Sequence, residues 1–392
     1  MLGPFVISDS LQKLSNSRAG ISVLIALWVI IQIVAFVHFG VRHGVDSERY
    51  IQVAQSITVG NWPKGTDIFY TSYCLLIAGF QLLGLAPSWI VLLQLVLSAV
   101  SIIGIYATVK SISTNNLVPW MACLLYVMWF KFQQWNLIVY TDSLFTSMVI
   151  LSVWVVITAD SRLKYAIALA MIVFTTFIRP TGIGFLLAIS FFLLYDKLIQ
   201  IRSKYFTRLA ILFLFLVLGG IIINVVLKDF IHSFLLSYSN AEIIYPKISL
   251  GILPPDDLII PGDHYEPLLQ LLLFAIYNPI YMIKISVMKG VLFFGHVKPY
   301  YSVFHNLLVA LYLFPIYGFA ISGVKQISEK RIVLFMITFV GFNFLMVSIT
   351  SENWDGRFLL AILPWVFILA AFGITQWLQK KRTLAGPNDI NK

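Results

Sequence analysis

Two unbroken apolar runs, Ile21 to Gly40 and Ser88 to Val109, restrict what this chain can become. Each reaches the roughly 20 residues that carry a helix across the hydrocarbon of a bilayer. Composition agrees, because 59% of the 392 residues are hydrophobic and only 11% are charged. A soluble domain carries roughly a quarter charged residues to coat its surface. An exterior this poor in charge must be covered by lipid, so the chain reads as an all-α polytopic membrane protein. The first run is too long for the core of a cleavable signal and is followed by no small-x-small cleavage pattern. It reads as an uncleaved first span.

The spacing of apolar runs predicts about ten transmembrane helices in a single domain covering 1–392: 20–39, 88–109, 117–133, 137–158, 164–179, 181–196, 208–227, 305–323, 331–350 and 357–377. With the N-terminus in the cytoplasm, the inner loops collect 16 of the 27 basic residues but 5 of the 17 acidic ones. That is the orientation the positive-inside rule selects. The formal charge of +10 is therefore a topology signal, with its bases in short clusters between apolar runs and no single basic face for nucleic acid. Two further apolar segments, Ile68 to Leu85 and Pro267 to about Phe294, must then not cross singly. Both carry polar residues, and the second is interrupted by Pro279 and contains Lys284 and Lys289. They read as juxtamembrane helices on the outer face, with a hairpin of two spans as the alternative for the second. Cys74 and Cys123 sit in apolar surroundings with no metal-ligand spacing.

Two long outer segments remain, the first outer loop 40–87 and a large loop 228–304, and long polar loops on a chain that otherwise economises on them are where function concentrates. The first opens with His43-Gly44-Val45-Asp46-Ser47-Glu48-Arg49-Tyr50, directly after span one, and continues as a short helix with Ile51, Ala54 and Ile57 on one face. An acid at the end of a span, bordered by apolar walls, suits a general base. The bland alternative is a solvated carboxylate beside Arg49. Asp142 stands near the outer end of span four, as a buried charge or as a helix cap. Arg179, in Phe177-Ile178-Arg179-Pro180, has the planar fork that fits a phosphate or carboxylate, or it is an orienting partner for Asp142. Glu352 and Arg357 lie in the short charged loop before the last span, where Arg357 reads as a ligand contact or as the structural partner of Asp355 or Glu352. In the large loop, Asp263-His264-Tyr265-Glu266 fits no specific metal motif and reads as part of an acceptor-binding lid. Lys298, with His296, Tyr300 and Tyr301, is placed to meet an anionic head group. No phosphate-binding loop, dinucleotide fingerprint or metalloprotease motif is present.

This layout resembles the GT-C superfamily of integral membrane glycosyltransferases, and most closely the bacterial relatives of protein O-mannosyltransferases and aminoarabinose transferases. The resemblance rests on Asp46 and Tyr50 after the first span and on Tyr70 to Gly84 as a second juxtamembrane helix. It extends to Thr141-Asp142-Ser143-Leu144-Phe145, to Arg179-Pro180, and to Arg357-Phe358 with Pro364. The pieces are short, spread over most of the chain and persuasive by order and spacing. The family's two adjacent acids are reduced here to Asp46 and Glu48, and the C-terminal soluble domain of several relatives is missing. The resemblance implies a polyprenyl-phosphate sugar donor, a glycan, lipid or protein acceptor, and inverting transfer at the outer face of a bacterial inner membrane. Asp46 would be the catalytic base. Arg179, Arg357 and Lys298 would contact the donor phosphate, and Glu48, Tyr50, Asp142, His264 and Glu352 would line the substrate site. No nucleotide cofactor is implied, and the Asp46-Ser47-Glu48 spacing leaves a divalent metal open. The rival readings are an O-antigen-type polysaccharide polymerase or ligase, and a transporter or flippase for a lipid-linked sugar.

Overall fold

The computed structural model describes residues 11–200, 217, 219–221, 224, 225, 228 and 230–384. In chain order the elements are α1 (Arg18–Phe39), β1 (Arg42–His43), α2 (Ser47–Thr58), α3 (Thr71–Leu82), α4 (Ile90–Ile112), α5 (Leu117–Met128) and α6 (Phe130–Trp135). They continue with β2 (Ile138–Val139), α7 (Thr141–Thr158), α8 (Arg162–Thr176), α9 (Gly182–Gln200), α10 (Ile231–Ser239) and β3 (Ile244–Tyr245). The remainder are α11 (Pro267–Tyr277), α12 (Pro279–Gly295), α13 (Val303–Val324), α14 (Lys330–Ile349), β4 (Glu352–Asn353) and α15 (Leu363–Leu384).

Among the described residues five helices, α1, α4, α7, α13 and α14, are long and apolar enough to cross a bilayer. The number is six if α11 and α12, bent by 105° across Asn278, form one broken span. The multi-pass membrane character expected from the sequence therefore holds in its coarse form, with five or six candidate spans among the described residues against the ten expected. The expected span 117–133 breaks at Trp129 into α5 and α6, and α8 has only 15 residues. The last expected span, 357–377, begins as a single 3₁₀ turn at Arg357–Leu359 before α15, whose end carries Lys380, Lys381 and Arg382. The seventh, 208–227, lies largely outside the described residues. Chain contacts also gather into two compact units where the sequence suggests one domain. The first comprises Met1–Leu186, Tyr312–Met336 and Leu360–Lys392, and the second Leu187–Leu311 and Ile337–Leu359, in their described parts.

In the first unit α7 is the central helix, with every side chain from Thr141 to Val153 buried. α4 lies against it, and Gly104 permits the approach because a Cβ there would press on Ile150 and Leu151 at 3.3 Å. The non-helical backbone at Trp129 and from Asn136 to Tyr140 is buried among these helices, where each unsatisfied peptide group is expensive. Side chains supply its partners. Gln133 Nε2 donates to the Tyr126 carbonyl at the frayed end of α5 (2.9 Å), and Gln94 Nε2 donates to the carbonyls of Asn136 (3.1 Å) and Ile138 (2.8 Å). Asn136 Nδ2 donates to Ser98 Oγ (3.0 Å) and Asn136 Oδ1 accepts from Ser143 Oγ (2.6 Å), while Gln32 of α1 donates to Gln133 Oε1 (2.8 Å). The helix pattern gives way at Trp129 because this amide network replaces the helical bonds.

In the second unit an apolar core forms around Tyr238, Ile244, Phe274, Tyr281 and Ile285. The sharp bend between α11 and α12 is held by Asn278, whose amide donates to Ile259 O (2.7 Å) and Phe274 O (3.0 Å) and accepts from Ile259 N (3.0 Å). Pro279 then opens α12 at a position where its missing N–H is not needed. β3 and β4 pair in parallel, Ile244 with Glu352 and Tyr245 with Asn353.

Candidate functional site

The setting of Asp46 is built from the turn that ends α1. Gly40, at φ 62°, closes the helix with its N–H on Phe36 O (2.8 Å), a left-handed cap that favours glycine. Two residues on, β1 pairs in parallel with β2, matching Arg42 to Ile138 and His43 to Val139. Gly44 then passes so close to the Tyr140 ring that a Cβ would overlap it. Ser47 ties the same turn down, accepting from Gly44 N (2.7 Å) and donating to Val139 O (2.6 Å). The outcome is that Tyr140 donates its phenolic O–H to Asp46 Oδ2, with Asp46 at the cap position of α2 and partly exposed.

Arg49 bonds Asp67 (2.7 Å) and Thr66 (2.6 Å) and lies over the Tyr70 ring at 5.3 Å. Glu48 points to the exposed face of α2 and accepts from Gln52 (3.2 Å). Tyr50, expected to touch substrate, is instead a buried wall, with its ring 5.2 Å from Tyr70, 5.3 Å from Tyr73 and 5.6 Å from Tyr140. That wall fixes Tyr140 and, through it, Asp46. The role of Tyr140 carries no sequence signal, since it lies 94 residues from the acid it contacts.

Asp142 and Arg179 come together as a buried ion pair, with the guanidinium also 5.6 Å from the Phe145 ring. The residue capping α7 is Tyr140, so Asp142 serves as the partner of Arg179 and not as a cap. Arg179 is 5% exposed. The segment carrying it is docked by Ser72 N on Phe177 O (3.0 Å), at the start of α3.

In the second unit Lys298 and Glu352 are each fully buried and pair at 3.0 Å. Burial pushes the Glu352 carboxyl up to about 7, against the opposing pull of Lys298, and its Oε2 accepts no hydrogen bond. Asn306 clamps the Lys298 backbone from both sides, accepting from its N–H (3.1 Å) and donating to its carbonyl (2.8 Å). Tyr301 donates to Asp355 (3.1 Å) and Tyr300 to Trp354 O. Arg357 opens the 3₁₀ turn half-buried, its guanidinium 5.5 Å from the Phe358 ring. His264 is exposed, its ring 4.0 Å from that of Tyr265. The sequence reading missed Lys289, which is fully buried, donates to Thr350 O and lies 4.2 Å from the Tyr238 ring, whereas Lys284 on the same helix is exposed.

Among the described residues no three His, Cys, Asp or Glu side chains gather as metal ligands would. Both cysteines are buried and free. Compared with protein-family models, curated proteins and solved structures, the chain matches none.

Proposed function

We propose that this chain is an integral membrane glycosyltransferase that moves a sugar from a polyprenyl-phosphate carrier to an acceptor hydroxyl at the outer face of the membrane. The observation that carries the reading is Asp46, a partly exposed carboxylate one turn beyond α1, aimed by the Tyr140 hydroxyl and backed by an aromatic wall. In the proposed step the acceptor oxygen attacks the anomeric carbon while its proton passes to Asp46. The bond from that carbon to the phosphate oxygen breaks, and the sugar is left joined to the acceptor with inverted configuration. Polyprenyl phosphate leaves with the electron pair. A carboxylate held by a phenol donor keeps one oxygen oriented for proton transfer.

The topology of this reading is about ten crossings with the Asp46 loop outside, in a bacterial inner membrane, supported by the charge bias of the inner loops. The phosphate-contact roles drawn from the resemblance are tested singly. Arg357→Ala should weaken donor binding. Lys298→Met and Arg179→Met should act mainly on stability, since both cations are enclosed with a carboxylate partner.

One observation favours the transporter reading: α11 and α12 break by 105° with a buried lysine beyond the break, and broken helices line transport sites. The test compares purified wild type with Asp46→Asn on a panel of labelled polyprenyl-phosphate sugars, with cell-envelope extract as acceptor and sealed vesicles as a flipping arm. Polyprenyl phosphate released by wild type alone supports the proposal. Equal release by both moves the base elsewhere. Consumption of diphosphate-linked oligosaccharides alone points to a polymerase or ligase, and translocation without release to a transporter.

A further inference from the structure

The first unit carries a cleft remote in sequence from Asp46, opening between α13 and α15 and enclosing about 510 Å³. Its walls are two matched helical stripes, Pro315, Gly318, Phe319 and Ser322 on α13 and Gly373, Gln376, Trp377 and Lys380 on α15. Both follow the spacing i, i+3, i+4, i+7 that puts residues on one helix face. The two helices cross on glycine. A Cβ at Gly323 would run into the Leu369 carbonyl, and one at Gly373 into the Phe319 carbonyl. Backbones that touch at a small-residue crossing splay apart on either side of it, and the cleft is the space left by that splay. It is apolar along Pro315, Gly318 and Phe319, whose ring meets Trp377 edge-on at 6.0 Å. It is cationic at the mouth, where Lys380 lines it and Lys381 Nζ stands 4.2 Å from the Trp377 ring.

An apolar slot between α13 and α15, with an indole at its rim and two ammonium groups at its mouth, matches one kind of occupant in chemistry. From this juxtaposition we infer that the cleft is a binding site for an anionic phospholipid, with the phosphodiester at Lys380 and Lys381 and an acyl chain along the Gly318 stripe. Basic pockets between helix ends hold anionic head groups through a contribution of about 1 kcal/mol per lysine, or roughly five-fold in affinity. Ser322 fits the same role. Its hydroxyl donates to Phe319 O (2.8 Å), which turns its lone pairs outward and leaves the head-group oxygens to the lysines.

Gly318 makes the idea testable without disturbing the fold, because a Cβ built there meets nothing within 4 Å. Full-length protein in neutral detergent is titrated with phosphatidylglycerol or phosphatidylcholine brominated on the acyl chain, and tryptophan quenching is followed. The Trp377→Phe variant is subtracted to isolate the signal of Trp377. Phosphatidylglycerol is expected to quench that signal at several-fold lower concentration than phosphatidylcholine. Lys380→Ala should lower the preference about five-fold, as should raised salt, and Gly318→Leu should abolish the quenching with both lysines intact. Equal quenching by the two lipids, an unchanged preference in Gly318→Leu, or displacement by millimolar glycerol 3-phosphate would each overturn the inference. The first would make the cleft a generic lipid contact and the last a site for a soluble anion.

Discussion

The buried pair Asp142–Arg179 offers the sharpest test, because two opposed roles for Arg179 give different patterns in one double-mutant cycle. The guanidinium is 5% exposed and Asp142 is 1% exposed, so removing either partner strands a charge in a dry interior. Such a loss is worth about 3–5 kcal/mol, whereas replacing both partners by apolar residues of similar volume is close to neutral. Arg179→Met and Asp142→Leu should each lower stability by that amount, and the double variant should recover most of it. The coupling energy is then about 3 kcal/mol or more, well above that of an exposed pair. Denaturant titration in micelles, followed by tryptophan fluorescence, reads the free energies, and binding of a labelled polyprenyl-phosphate sugar is measured in parallel. Single variants costing under about 1 kcal/mol, or a double variant equal to the sum of the singles, would refute the desolvation argument. A double variant that is stable yet has lost donor binding would make Arg179 a phosphate contact after all.

Gly44→Ala should detach Tyr140 from Asp46, because the added methyl occupies the ring's position. A loss of about 1–3 kcal/mol of stability is expected together with lower turnover, and unchanged thermal stability would argue against the contact. Tyr140→Phe should keep the fold and the donor KM but cut kcat about 10- to 100-fold, the worth of a hydrogen bond to a charged group. Equal activity would remove Tyr140 from the positioning role. For Glu352, whose folded carboxyl titrates above its ordinary value, the native state holds a proton that the unfolded chain has released between the usual carboxylate range and about pH 7. Its contribution is therefore fully present below that window and is lost as pH rises through it. Melting profiles between pH 4.5 and 7.5 should slope downward in wild type and flatten in Glu352→Gln. An identical slope in both would place the titration elsewhere.

The long apolar runs of α1, α4, α7, α13 and α14 were legible because a stretch of 18 to 26 residues with at most two charges has few other uses. The amphipathic spacing of α2 was equally plain, with Ile51 and Ala54 inward. The pairing of Asp142 with Arg179 was open to reading as an alternative, since two charges in apolar surroundings seek one another. Trp129 gave no warning of a break, because no proline or glycine marks it. The cause is the set of amides from Gln94, Gln133 and Asn136, which lies on separate segments. Lys284 and Lys289 looked alike on one helix, but five residues turn a side chain well over a quarter of the way round, and only packing decides which is enclosed. Two-residue strands such as β1 and β2 have no period to detect.

Those strands also impose a timetable. As a membrane protein is synthesised, α1 can enter the bilayer as soon as it emerges, but the acid beyond it cannot reach its setting until Tyr140, 94 residues later, has been made. At synthesis rates of about 5–20 residues per second, the Asp46 loop waits roughly 5–20 s with neither β2 nor the phenol to organise it. The setting of Asp46 is thus an event of late assembly, closed by a crossing of distant segments, and under the proposed function activity should be the first property lost to any defect that delays the insertion of α7.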